Sequence, residues 1–173
     1  MDRPAAAIPE RGFTLAELAV VLAVVGILAV VVVPRFADRS AFDERGFHDA
    51  VKAGLQHARR AAVASRRHVC VGVSAGSGTS ARITLARDTT APEAGAAVSC
   101  TVALPIPGAR AAGGCAGNEI CAPGGVVLGG SNVIFDPLGR PVDAARNVLG
   151  TVTPLTVSNQ PDITIQPESG LVR

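Results

Sequence analysis

Between Phe13 and Val33 the sequence carries one ionisable side chain, Glu17, among Val, Leu, Ala and Ile. A carboxylate in such surroundings has one chemistry open to it, which is to meet a cation. In hydrocarbon it costs on the order of 2.5 to 3.5 kcal/mol, less near a helix end, and residues of this kind usually have a partner. An amine is the natural one. Were the chain cut between Gly12 and Phe13, the new amino group would lie one helical turn from Glu17, in its own chain or in a neighbour packed alongside.

The element that must position these groups is the apolar run Leu18 to Val33. With Phe13 to Glu17 it approaches the roughly 20 apolar residues a helix needs to cross a bilayer, and it reads as a membrane helix. A conventional secretory signal would place a small-residue cleavage site after the run. Here the run ends Val33-Pro34-Arg35, so it is expected to stay in the protein. Pro34 fits either the end of this helix or a kink in a longer one. Arg35, Arg39 and Arg45 follow, so the distribution of positive charge does not by itself place residues 1–12 in the cytoplasm.

A short polar leader ending in Gly12, then Phe13-Thr-Leu-Ala-Glu17 and an apolar helix, resembles the class III signal of type IV prepilins and type II secretion pseudopilins. The resemblance implies removal of residues 1–12 by prepilin peptidase, methylation of the Phe13 amine, and a role for Glu17 in neutralising a neighbour's amine during assembly. It also implies an orientation: a single-pass helix in the inner membrane, a periplasmic globular part, and later a place in a filament. The partners implied are other pilins or pseudopilins, the peptidase and the membrane.

Beyond the helix, residues 42–173 are enough for one modest core. The capping-box form Ser40-Ala-Phe-Asp43 suggests that a second helical segment starts there. From Phe47, apolar Val51, Leu55, Ala58 and Ala62 recur at spacings of four, four, three and four. That is one face of an amphipathic helix ending near Arg66, with Gly54 as a weak point inside it. Arg59, Arg60, Arg66, Arg67 and His68 at its end are read as cations facing the carboxyl end of the helix dipole.

After residue 68 the period changes to two. Strands are expected at Val69–Val73, Ala81–Ala86, Val98–Leu104, Asn132–Asp136, Val148–Val157 and Asp162–Gln166, with turns at Ser74–Ser80, Pro137–Pro141 and Pro167–Gly170. Residues 105–130, rich in Gly and Pro, are expected to be mostly loop. The whole is α+β, a long N-terminal helix packed on an antiparallel sheet. It divides into a leader (1–12), a membrane and assembly helix (13–34), an amphipathic helix (35–68) and a β-rich part (69–173). Val133-Ile-Phe-Asp-Pro-Leu-Gly-Arg140 and Ile163-Thr-Ile-Gln-Pro-Glu-Ser-Gly170 are similar to the carboxy-terminal half of GspH/FimT-type minor pilins. Phe42-Asp-Glu-Arg-Gly-Phe47 and Arg67-His-Val-Cys-Val71 resemble minor pilins of mannose-sensitive haemagglutinin pili.

Four cysteines follow the apolar helix. Outside the cytoplasm they would make two disulfides. Of three connectivities, a local Cys115–Cys121 bridge and a strand-joining Cys70–Cys100 bridge are preferred. Zinc is disfavoured, because there is no CxxC pair and His48, His57 and His68 sit on the helix or its end. No nucleophile elbow, P-loop or HExxH motif occurs, and no catalytic residue, metal or cofactor is expected. A net charge of +2 is too small to diagnose nucleic acid, and the absence of Trp and Tyr removes a stacking platform. DNA enters only as the alternative partner. The DNA-binding branch of these minor pilins would call for Gly-Arg-x-Arg near the carboxyl end; Gly170 and Arg173 match, Leu171 does not, and Arg140 and Arg146 add charge nearby.

Overall fold

The computed structural model describes residues 14–37, 39–95, 97–109 and 114–173; in helix α1 the side chains are described through residue 29. The chain divides into two compact units, residues 1–39 and 40–173.

The described part of the first unit is helix α1, Leu15–Ala37. Every described side chain from Thr14 to Ala29 is exposed, apolar ones included. A helix that is apolar all round belongs inside a larger assembly or a bilayer, because nothing in water rewards that surface. Among the described residues no helix is long and apolar enough to cross a membrane. The apolar sequence itself runs on to Val33.

The second unit is α+β. Helix α2, Arg39–Ser65, begins one residue before the expected cap and buries Phe47, Val51, Leu55, Ala58 and Ala62, the stripe its periodicity defines. It stops in a six-to-one turn: Arg67 N–H reaches Ala62 O and Arg66 N–H reaches Val63 O, with Arg66 left-handed at φ 51°. Gly54 has a packing reason. A methyl group there would come within 2.9 Å of Ile120 Cδ1 and 3.0 Å of Ile83 Cδ1.

Against this face lie two antiparallel sheets where one was expected. The first is built from β1 (Val69–Ser74), β3 (Arg82–Asp88), β4 (Cys100–Ala103), β5 (Glu119–Cys121), β7 (Val133–Phe135) and β8 (Pro141–Val142), in the order β4-β3-β1-β7-β8 with β5 also on β3. The second runs β10-β9-β6-β2, from Ile163–Ile165, Thr153–Val157, Val127–Gly130 and Gly76–Ser77. Alternate residues point inward, so Val69, Val71, Ile83, Leu85, Leu128, Phe135, Leu155, Ile163 and Ile165 form one core with the stripe of α2. Residues 105–130 also hold two short strands, β5 and β6, that the sequence reading did not place, and one expectation is corrected: the strand expected at 148–157 begins only at Thr153.

Both disulfides pair as preferred, Cys70 with Cys100 and Cys115 with Cys121. The first ties β1 to β4, and the second closes the approach to β5 on itself. Another tie comes from a residue misread in the sequence. Arg59, six residues before the end of α2, is not simply a helix-end cation: its Nε–H is shared between Gly139 O (3.3 Å) and Ser169 O (3.2 Å), joining the helix to two turns. Arg59→Met keeps the apolar stem and strands those two carbonyls. It should cost about 1 to 2 kcal/mol in denaturant unfolding, where Arg60→Met, on an exposed side chain, should fall within about 0.5 kcal/mol of the parent.

Candidate functional site

The helix start that carries Glu17 is shaped by Thr14. Glu17 N–H donates to Thr14 Oγ1 at 3.2 Å, and Leu18 N–H donates to Thr14 O at 3.1 Å, the first i to i−4 bond of α1. Thr14 is therefore the N-cap and Glu17 the third helical residue. A hydroxyl meets one of the four orphan donors of the first turn. The carboxylate of Glu17 stands at the positive end of the helix dipole, worth roughly 0.3 to 1 kcal/mol before any partner is counted. Gly12 and Phe13, where processing is expected, lie outside the described residues. The role of Thr14 was missed in the sequence although its signal was present: Thr14-Leu-Ala-Glu17 has the Thr-x-x-Glu form of a capping box.

The three arginines considered for nucleic acid have separate settings. Arg140 closes an ion pair on Asp136, with Nη2 at 2.7 Å and Nε at 2.8 Å from Oδ2, inside a turn whose Leu138 and Arg140 N–H groups also donate to Asp136 Oδ1. Arg146 donates from Nη1 to Pro92 O, and its Nε and Nη2 are buried. Arg173 is exposed, and its backbone exchanges two hydrogen bonds with Thr164. Two of the three guanidiniums are thus engaged within the fold.

A cavity of about 560 Å³ lies between α2 and the segment that follows β4, lined by Gly54, His57, Arg60, Ile106, Glu119, Ile120 and the Cys115–Cys121 bridge. Two of its polar groups are already occupied. His57 Nε2 is 3.1 Å from Pro105 O. The Ala116 N–H, and after it Arg82 and Thr84, hold the Glu119 carboxyl below the usual range despite its burial. Among the described residues that lining holds no serine, threonine, lysine or free cysteine. Among the described residues no three His, Cys, Asp or Glu side chains are grouped as a metal ion would require.

Residues 9–33 match the family model of the prokaryotic N-terminal methylation motif, a span that holds Gly12, Phe13, Thr14 and Glu17. The chain is similar to the crystal structure of the type IV minor pilin FimU of Pseudomonas aeruginosa. Identity is 13%, 78% of this chain and 90% of that one are covered, and the TM-score is 0.47. No curated protein matches the chain.

Proposed function

We propose that this chain is a minor pilin or pseudopilin of the GspH/FimT type, a structural subunit of a type IV pilus or a type II secretion filament. The observation that carries the reading is the methylation motif at residues 9–33, with Glu17 three residues inside a capped helix whose apolar side chains are uncovered. In this reading prepilin peptidase cuts after Gly12 and the Phe13 amine is methylated. The helix first sits in the inner membrane, with the globular part in the periplasm. Two disulfides suit that oxidising side.

Assembly then moves α1 from lipid to a bundle of like helices. Apolar packing supplies little discrimination between those two settings, because lipid tails are as apolar as leucine. The discriminating contact is ionic: Glu17 of one subunit meets the Phe13 amine of another in a medium where water does not compete. The nucleic-acid reading takes second place, since Arg140 and Arg146 are spent inside the fold.

The intact mass of protein recovered from cells tests the reading. The expected species starts at Phe13, carries one added methyl group, and lacks the thiol hydrogens of its four cysteines. A chain that still starts at Met1 would overturn the assignment.

A further inference from the structure

One charged cluster has no part in the assembly site. Val69 on β1 pairs with Arg87 on β3 and with Phe135 on β7. One position earlier, His68 therefore falls between Asp88 and Asp136, and opposed residues of neighbouring strands share a face. The Asp88 N–H to His68 O bond, 2.9 Å, fixes that register. All three side chains are buried. The carboxylates are committed elsewhere: Asp88 accepts from the N–H groups of Thr90 (2.8 Å) and Ser99 (3.1 Å), and Asp136 from its own turn and Arg140. Among the described residues His68 Nδ1 has no hydrogen-bond partner, and neither do the buried Nε and Nη2 of Arg146.

Arg146 arrives on a loop that holds its own shape. A Val142–Val148 bridge closes it. Asp143 braces it by accepting from the backbone and side-chain amides of Asn147 at 2.8 and 2.9 Å. Among the described residues the loop is tied to the rest of this end of the sheet by Arg146 Nη1 to Pro92 O, by Val98 N–H to Ala144 O at 3.3 Å and, at its base, by Leu149 N–H to Pro141 O at 2.9 Å. Arg146 also sits at φ 72°, a left-handed conformation that an arginine adopts only at some cost and that opening would relieve.

We propose that the loop bearing Arg146 is an acid-operated latch, closed over His68 while the imidazole is neutral and released when His68 takes up a proton. The charged groups that act on His68 are Arg146 from the loop, Asp88 from β3 and Asp136 from the end of β7, the last already paired with Arg140. Burial and then Arg146 oppose an imidazolium, while Asp88 and Asp136 favour it. The opposing pair prevails, so the closed form binds a proton less readily than an ordinary histidine at 6.5. Opening the loop hydrates the ring and removes Arg146 while Asp88 and Asp136 stay beside it, so the open form takes up a proton more readily than the closed one. The closed form therefore keeps its full advantage while both forms are neutral and loses it as pH falls from the open form's midpoint through the lowered one. This inference does not depend on the filament reading.

The test is a pH titration of the full chain in detergent micelles from 7.5 to 5, following the His68 ring and the amides of residues 144–147 by NMR. The expected result is a His68 midpoint below 6.5, with the loop amides shifting at the same midpoint. His68→Gln should abolish the loop shift. Arg146→Met, which removes the opposing charge, should move the His68 midpoint upward. The proposal is overturned by loop amides that stay fixed while His68 titrates, by a His68 midpoint at 6.5 or above in the parent, or by no titration at all down to pH 5. A loop shift that persists in His68→Gln would overturn it as well. Should His68→Gln fail to fold, the direction of the Arg146→Met shift decides.

Discussion

Glu17→Ala should reach the membrane and be processed like the parent chain, and then be missing from filaments. Both halves follow from the same physics. Removing a carboxylate from an apolar helix lowers the cost of insertion, by on the order of 2 kcal/mol near the middle of a bilayer and less near an end, so delivery cannot suffer. The Thr14 cap survives, because its bond is to the backbone N–H at position 17 and not to the side chain. What disappears, on the proposed assembly, is the partner for an amine brought into a dry bundle. Breaking a buried pair from one side costs about 3 to 5 kcal/mol, which corresponds to a loss of more than a hundredfold in incorporation. Glu17→Gln should fail in the same way, since it keeps shape and polarity but not charge. The measurement is the amount of each variant in sheared filaments relative to the membrane fraction. Parental incorporation of Glu17→Ala would rule out the ionic contact as the driving one.

Gly170→Ala should be the most damaging small change in the globular unit. Gly170 has φ 62°, where a β-carbon is strained, and a methyl group there would overlap the carbonyl oxygen of Gly139. That neighbour is backbone. It is also held in place, because Arg59 Nε donates to it and the Asp136 turn fixes the peptides around it. Neither side can yield, so strain and clash together are expected to exceed about 3 kcal/mol, with a fall in Tm on the order of 10 °C. Gly150→Ala provides the comparison. Among the described residues no atom beyond its chain neighbours lies within 4 Å of a methyl group there and its φ is not left-handed, so its Tm should stay near that of the parent. Equal melting of the two variants would show that the stacked turns do not constrain the fold.

Much of this architecture was legible in the residues, and the misses have identifiable causes. The stripe from Phe47 to Ala62 could be read because a single buried face leaves a 3.6-residue period, and all five of its positions are buried. Strand β7 alternates throughout, β1 and β3 alternate over their first four residues, and β10 carries buried isoleucines at both ends. β6 escaped notice because Gly129 and Gly130 look like loop residues. Their lack of a side chain instead lets β9 approach, and a methyl on Gly130 would sit 3.0 Å from Leu155 Cγ. The split into two sheets follows from pairings far apart in sequence, such as Leu128 with Val157, which no local pattern encodes. Glu17 stood out by being alone in its surroundings. Thr14 did not, because a hydroxyl among apolar residues looks neutral until the first helical turn is drawn and its N–H groups need an acceptor. Arg59 and His68 were grouped with the helix end by position alone, whereas the partners of Arg59 and the neighbours of His68 come from turns and strands that follow later in the chain.

The bond from Arg59 to Ser169 and the burial of Val172 also bear on timing. A chain that emerges amino end first exposes α2 early, yet the residues that close its middle and seal the far sheet emerge more than a hundred positions later. Until then the stripe from Phe47 to Ala62 has no complete surface to rest on, and contacts this distant in sequence form slowly. The domain should therefore reach its final form only once residues 169–172 are free to fold. In that interval the apolar face of the half-built helix stands open to other apolar surfaces.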